Sequence, residues 1–123
     1  MTVADARIAA DAGVDAIVVS NHGGRVLDGT PGTAAVLPAI AEAVGENLPV
    51  LVDGGIRSGT DVLKMLALGA KAVLIGRPFC VAAVGGLTEG VVSYLAGVKG
   101  NLTSAMALTG CATIKDINSS VLA

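Results

Sequence analysis

Aromatic side chains are nearly absent: Phe79 and Tyr94 stand alone among 123 residues, and tryptophan is missing. Proteins that grip single-stranded nucleic acid stack bases on aromatic platforms, so that class is excluded. Histidine occurs once, at His22, and cysteine twice, at Cys80 and Cys111, far apart and outside any CxxC pair. One imidazole and two scattered thiols do not build a zinc site. Both thiols are expected to be buried and free in a reducing cytosol. An excess of one charge is lacking too. The 8 basic and 10 acidic residues give a net of −2, which leaves no basic footprint for nucleic acid or anionic lipid. No uncharged apolar run reaches the roughly 20 residues of a membrane-spanning helix. The start, Met1-Thr2-Val3-Ala4-Asp5, has no basic region followed by an apolar block, so no secretory signal is expected and the cytoplasm is the expected location.

What is present is core-building material. Hydrophobic residues make up 53% of the chain and charged residues 15%, in a length that suits one domain over residues 1–123. Helical and strand patterns alternate. Thr2 and Asp5 form a capping box ahead of a helix that ends at Gly13. Ala16 to Val19 is a short apolar run, as expected of a strand covered on both faces. After a glycine-rich loop, Asn21 to Gly32, a helix is expected over about Val36 to Val44, with Pro38 tolerable only in its first turn. Val50 to Val52 reads as the second strand and about Thr60 to Leu68 as the third helix. Ala72 to Ile75 reads as the third strand. A long helical region then follows Pro78, broken near Gly85-Gly86 and ending near Leu108, before one last short helix capped by Thr113 to Asp116.

A faint repeat links Gly13-Val14-Asp15-Ala16-Ile17-Val18-Val19 with Gly69-Ala70-Lys71-Ala72-Val73-Leu74-Ile75. Each is a helix stop, a two-residue spacer and a buried strand. Such units imply parallel strands with right-handed crossovers, hence a doubly wound sheet or a (β/α) barrel.

All three strands end in polar or glycine residues: Ser20-Asn21-His22, Asp53-Gly54-Gly55 and Gly76-Arg77. In parallel α/β folds ligands bind at that carboxyl edge. Asp53-Gly54-Gly55-Ile56-Arg57-Ser58-Gly59 leads into one helix and Gly76-Arg77-Pro78 into another. Glycines admit an anion to the backbone, helix starts offer free N–H groups and arginines add charge-assisted bonds. Ordinary tight turns with solvated arginines are the plainer explanation, but two such turns on adjacent strands favour a phosphate site. His22-Gly23-Gly24-Arg25 combines a group that exchanges protons near neutral pH with a guanidinium fork suited to a carboxylate. A single loop histidine is more often structural, so the pairing with Arg25 carries the functional reading.

Ser20-Asn21-His22-Gly23-Gly24-Arg25, Leu27-Asp28, Asp53 to Val62, Gly69-Ala70, Ile75-Gly76-Arg77-Pro78 and Leu108-Thr109-Gly110-Cys111 together closely resemble the FMN-dependent 2-hydroxy acid oxidases and dehydrogenases. Lactate oxidase, glycolate oxidase and L-lactate dehydrogenase belong to that family. The segment from Ser20 to Arg25 is the specific part, because the glycine-arginine loops recur in other FMN and phosphate-binding barrels. The resemblance implies a TIM barrel, α/β, with this chain matching its last three strands and the surrounding helices. It implies His22 as the catalytic base, Arg25 as the binder of the substrate carboxylate and Ser20 as a hydrogen-bonding neighbour of the flavin ring. Asp53, Gly54, Gly55, Ile56, Arg57, Gly76 and Arg77 are implied as the site for the ribityl phosphate of FMN. The implied reaction takes a small L-2-hydroxy acid, lactate-like, to a 2-oxo acid. Ser58 departs from the family, where many relatives have a second arginine.

A whole barrel has eight strands and about 250 residues. The family's flavin-contacting lysine, the aspartate partner of its histidine and its pocket tyrosines lie on segments this chain does not match. Tyr94, in the last helical region, is not a substitute for those tyrosines. Three readings follow: a piece that works with the missing amino-terminal half or as a homo-oligomer, a non-catalytic FMN or phosphate binder, or another FMN-barrel class related to IMP dehydrogenase or the type 2 isopentenyl diphosphate isomerases. The Ser20–Arg25 segment argues against the last.

Overall fold

Helix α1 (Val3–Asp11) opens as its sequence predicts, in a computed structural model that describes residues 1–122. The Thr2 hydroxyl accepts the Asp5 N–H at 3.1 Å, and the Asp5 carboxylate accepts the Thr2 N–H at 3.2 Å. The hydrogen bond from the Thr2 side chain holds the Asp5 carboxyl below its ordinary value against a smaller opposing effect of burial. Past Ala12, Gly13 takes a φ of 76°, the left-handed stop that a glycine permits.

Three parallel strands form one sheet in the order β1 (Ile17–Val19), β2 (Val50–Val52), β3 (Ala72–Val73). Val18 pairs with Leu51 and Leu51 with Ala72, while Val19 pairs with Val52 and Val52 with Val73. The third strand is shorter than the expected Ala72 to Ile75, although the Leu74 N–H still donates to the Val52 carbonyl at 2.9 Å. Alternation then decides which side chains meet the core. Val19, Val50 and Val52 are buried and pack with Leu37, Ile40, Val44, Val62 and Met65. On the other face Val18 is 48% exposed and Leu74 43% exposed. Helices therefore cover one face of the sheet, not both as expected. The apolar composition of the strands comes from a second face that this chain does not itself bury.

Helix α2 (Thr33–Val44) starts three residues before the expected position, which puts Pro38 in its second turn. The cause is a tertiary bond. The Thr33 hydroxyl donates to the Asp53 carbonyl at 2.6 Å and ties the helix start to the end of β2. Pro38 lies on the exposed side, so the missing bond to the Ala34 carbonyl falls on the solvent face.

Helix α3 (Gly59–Ala67) and helix α4 (Arg77–Leu108) pack closely. A side chain at Gly59 would collide with the α4 backbone at Val98 and Leu102. Asn101 Oδ1 also accepts the Thr60 N–H at 2.8 Å and the Thr60 hydroxyl at 3.0 Å. The expected break in α4 is present: Gly86 and Leu87 leave helical geometry, with φ at Leu87 of 48°. Leu63, Ala67, Cys111 and Ile117 form a second small core under the tail. The Thr113–Asp116 box caps a turn at Ile114–Asp116, and a further unexpected turn spans Ser119–Val121.

By length and composition α4 is long and apolar enough to cross a membrane. Glu89 and Lys99 interrupt its uncharged runs, so run length alone does not reveal it. Its bend at Gly86–Leu87 and its close packing on α3 give it a place in the helical layer of this α/β unit.

Candidate active site at the carboxyl edge of the sheet

Val19 and Val52 are paired neighbours, so the residues that follow them, Ser20 and Asp53, emerge side by side. The Ser20 hydroxyl donates to Asp53 Oδ2 at 2.9 Å and accepts the His22 N–H at 3.2 Å. The Asp53 N–H donates to the Val19 carbonyl at 3.2 Å. Asp53 is thus held from several directions. Its second oxygen, Oδ1, is buried with no partner among the described residues. A buried acceptor left without a donor is costly, and a bound hydroxyl would relieve it.

The turn that carries the histidine is left-handed. His22, Gly23 and Gly24 have φ of 53°, 71° and 73°. Histidine in that region is uncommon and strained. Asn21 steadies it: its Oδ1 accepts the Gly23 N–H at 3.0 Å, and its amide donates to the Pro31 carbonyl at 3.3 Å. The glycines therefore serve the turn itself. Gly23 also makes room for Arg77, since a Cβ there would stand 3.0 Å from Arg77 Nη2.

The anion half is built differently from its sequence expectation. At the start of α3 most of the N–H groups are already taken. Ser58 Oγ accepts from Asp61 N, Asn101 accepts from Thr60 N, and the Asp61 carboxylate accepts from the Arg57 and Ser58 N–H groups at 3.1 Å each. Burial opposes ionisation of Asp61, but those bonds, the Ser58 hydroxyl and the Lys64 charge together hold its carboxyl below the ordinary value. At the start of α4, by contrast, Gly76 supplies no side-chain cap, and Arg77 and Pro78 begin the helix. The open helix pole is the one beside Arg77. Gly54 and Gly55 have φ of 88° and 78°, and Gly55 faces open space.

One cavity of about 730 Å³ is lined by His22, Arg25, Asp53 to Arg57, Gly76 and Arg77. The sequence-derived residues thus converge, except Ser20, which acts beneath the wall through Asp53. Ile56 is 3% exposed and its side chain belongs to the core, so what it offers the cavity is backbone. Arg25, Arg57 and Arg77 form no salt bridge among the described residues, so the cavity rim is cationic. Cys111 is buried as expected, but Cys80 is exposed and lines the cavity, contrary to expectation, because it follows Arg77 in the first turn of α4. Tyr94 also lines it, with its hydroxyl donating to the Arg57 carbonyl at 2.8 Å. Nothing local to Tyr94 signals this, because its partner is 37 residues away. A larger hollow of about 890 Å³, near Leu48, Pro49, Gly69 and Lys71, opens at the amino edge of the strands and is remote from His22 and the arginines.

Parallel strands with helices on one side and a cationic, glycine-rich rim at their carboxyl ends are the arrangement that part of a (β/α) barrel presents. Residues 1–123 match the family described as FMN-dependent dehydrogenase, and the chain belongs to that family. FMN is the cofactor of that family. The chain is 56% identical over 119 residues to an L-lactate dehydrogenase of Caulobacter sp. (strain K31), covering 97% of this chain and 31% of the relative. It is 51% identical over 118 residues to a 2-hydroxyacid oxidase of Dictyostelium discoideum, covering 96% and 30% respectively. A solved structure of a mandelate oxidase variant with a monooxide FMN adduct superposes with a TM-score of 0.91 at 50% identity, covering 94% of this chain and 37% of the other. The fold is accordingly a partial TIM barrel. The chain spans about a third of the length of the curated relatives it matches.

Proposed function

We propose that this chain carries the proton-transfer and phosphate-binding edge of an FMN-dependent enzyme that oxidises a small L-2-hydroxy acid, lactate-like, to a 2-oxo acid. Residues 1–123 are read as the carboxy-terminal part of its barrel domain. The observation that carries the reading is the shared cavity: His22 and Arg25 line the same hollow as Arg57 and Arg77. The residues fit the ribityl-phosphate end of FMN. Asp53 Oδ1 is a buried acceptor awaiting a hydroxyl, Gly55 leaves space against the backbone, and Arg57, Arg77 and the uncapped start of α4 offer positive charge to a phosphate.

Arg25 binds the substrate carboxylate through its guanidinium and so orients C2 and its hydroxyl toward His22. The His22 imidazole accepts one proton of the hydroxy acid as the 2-oxo acid forms. FMN held at this site would supply the acceptor for the two electrons and the remaining hydrogen. The strained left-handed turn and the His22 N–H bond to Ser20 fix where that imidazole stands. The chain works with a complementing amino-terminal half or as a homo-oligomer, and of these the amino-terminal half supplies the strands that close the barrel. A cytoplasmic setting suits the two free thiols.

A second reading is FMN or phosphate binding without turnover, favoured by the uncovered strand face at Val18 and Leu74. One experiment separates the two. The chain is titrated with FMN while fluorescence quenching is followed, then supplied with the amino-terminal half and L-lactate. Quenching weakened by Arg77→Ala, followed by lactate-dependent flavin bleaching that His22→Ala abolishes, supports the enzyme. Quenching without bleaching supports the binder. Bleaching that survives His22→Ala removes the base from its role.

A further inference from the structure

We propose that Tyr94 is a positioning residue for the phosphate end of the cavity, holding the Arg57 loop in register with the start of α4 where Arg77 sits. The proposal rests on the reading of that end as an FMN phosphate site and adds a residue that the family motifs do not include. Tyr94 lies on the far limb of α4, beyond the bend at Gly86–Leu87. Its hydroxyl donates to the Arg57 carbonyl at 2.8 Å. Its ring meets Phe79 edge to face, with centroids 4.9 Å apart and planes at 87°. Phe79 stands two residues after Arg77, in the first turn of α4. The two aromatic residues of the whole chain therefore meet in one contact, and that contact bridges the bend.

The Arg57 backbone is pinned at both ends. Its N–H donates to Asp61 at 3.1 Å, and its carbonyl accepts from Tyr94. Only the side chain is left to move, from a fixed pivot. Two guanidinium groups placed to share one phosphate repel each other while it is absent, so a free loop would drift apart from Arg77. Fixing the loop beforehand removes that ordering cost from binding. An edge-to-face pair and one neutral hydrogen bond are each modest, but they act on the same two segments.

The test compares Tyr94→Phe with the unaltered chain, since phenylalanine keeps the ring against Phe79 and removes only the hydroxyl. Affinities for FMN and for riboflavin, which lacks the phosphate, are measured by flavin fluorescence. FMN affinity is expected to fall about two- to tenfold, the worth of one hydrogen bond, with riboflavin affinity unmoved. Unchanged FMN affinity overturns the proposal. An equal loss for both ligands also overturns it, because that is a general structural effect. If the unaltered chain takes up no FMN, the reading as an autonomous flavin binder fails instead, and amide hydrogen exchange at Arg57 and Ser58 decides the positioning role. Faster exchange in Tyr94→Phe upholds it, and equal rates end it.

Discussion

Ser20 and Asp53 are joined at 2.9 Å across the ends of two neighbouring strands, and the His22 N–H closes onto the same hydroxyl at 3.2 Å. This arrangement follows from register. Val19 opposite Val52 sends the next residue of each strand to the same rim, where a short hydroxyl fits between a carboxylate and a turn. The His22 turn and the end of β2 at Asp53 are therefore mechanically one unit. His22 is placed by Ser20, Ser20 by Asp53, and Asp53 by the Val19 carbonyl and the Thr33 hydroxyl.

Removing the link is expected to loosen both halves together. Ser20→Ala leaves Asp53 with neither carboxylate oxygen bonded within the protein and frees the His22 turn from its anchor. A loss of about 1–3 kcal/mol in unfolding free energy is expected, the cost of stranding a partly buried acceptor. Urea unfolding followed by circular dichroism measures it. A change within error would show that water already satisfies Asp53 and that the Ser20 bond adds nothing.

The contact between α3 and α4 is governed by Gly59, where any Cβ meets the backbone at Leu102 and Val98. Gly59→Ala forces the helices apart and breaks the reach of Asn101 to Thr60. Destabilisation of about 1–3 kcal/mol or more is expected, as for overpacking in a filled core. A variant as stable as the parent in the same urea experiment would mean that the helices do not approach as closely as described.

Short-range chemistry was the readable part of this sequence. The Thr2–Asp5 and Thr113–Asp116 boxes, the stop at Gly13 and the bend near Gly86 each depend on residues within a few positions, and each formed where expected. The strand ends also converged on one cavity, because parallel strands point their carboxyl ends the same way. What escaped was set by partners distant in sequence. The start of α2 depends on Thr33 reaching Asp53, and the Arg57 loop on Tyr94. Ser58-Gly59-Thr60-Asp61 is legible as a helix start, and its N–H groups are expected to face an anion. The structure gives the Ser58, Thr60 and Asp61 N–H groups to Asp61, Asn101 and Ser58, and it is the start of α4 that has no side-chain cap.

The uncovered strand face has its own consequence. Val18 and Leu74 are large, apolar and exposed, and Val81 and Val84 on α4 are 72% and 87% exposed. Exposed apolar surface on this scale is expected to drive self-association or capture of a hydrophobic dye. Sedimentation over a range of concentrations should show the average mass rising, and Val18→Lys with Leu74→Lys should reduce that rise. A monomer at every concentration, with no dye bound, would contradict this.

The cap at Asp61 predicts how stability depends on pH. Its carboxyl is held below the ordinary value of 3.8, chiefly against burial and by bonds from Arg57 and Ser58. The folded protein therefore binds this proton more weakly than the unfolded chain does. The stabilisation is complete above the ordinary value and is lost as pH falls below it toward the lowered folded value. Asp5, lowered by its bond with Thr2, contributes in the same sense. Asp61→Asn keeps the shape and removes the charge, so it is expected to cost about 1 kcal/mol near neutral pH, as for loss of a good cap. The difference from the parent should shrink on acidification to about pH 2.5, because the parent is then losing the same interaction. Urea midpoints at the two pH values measure both. A gap that stays constant would mean that the Asp61 charge has no part in holding the Arg57 loop and the start of α3.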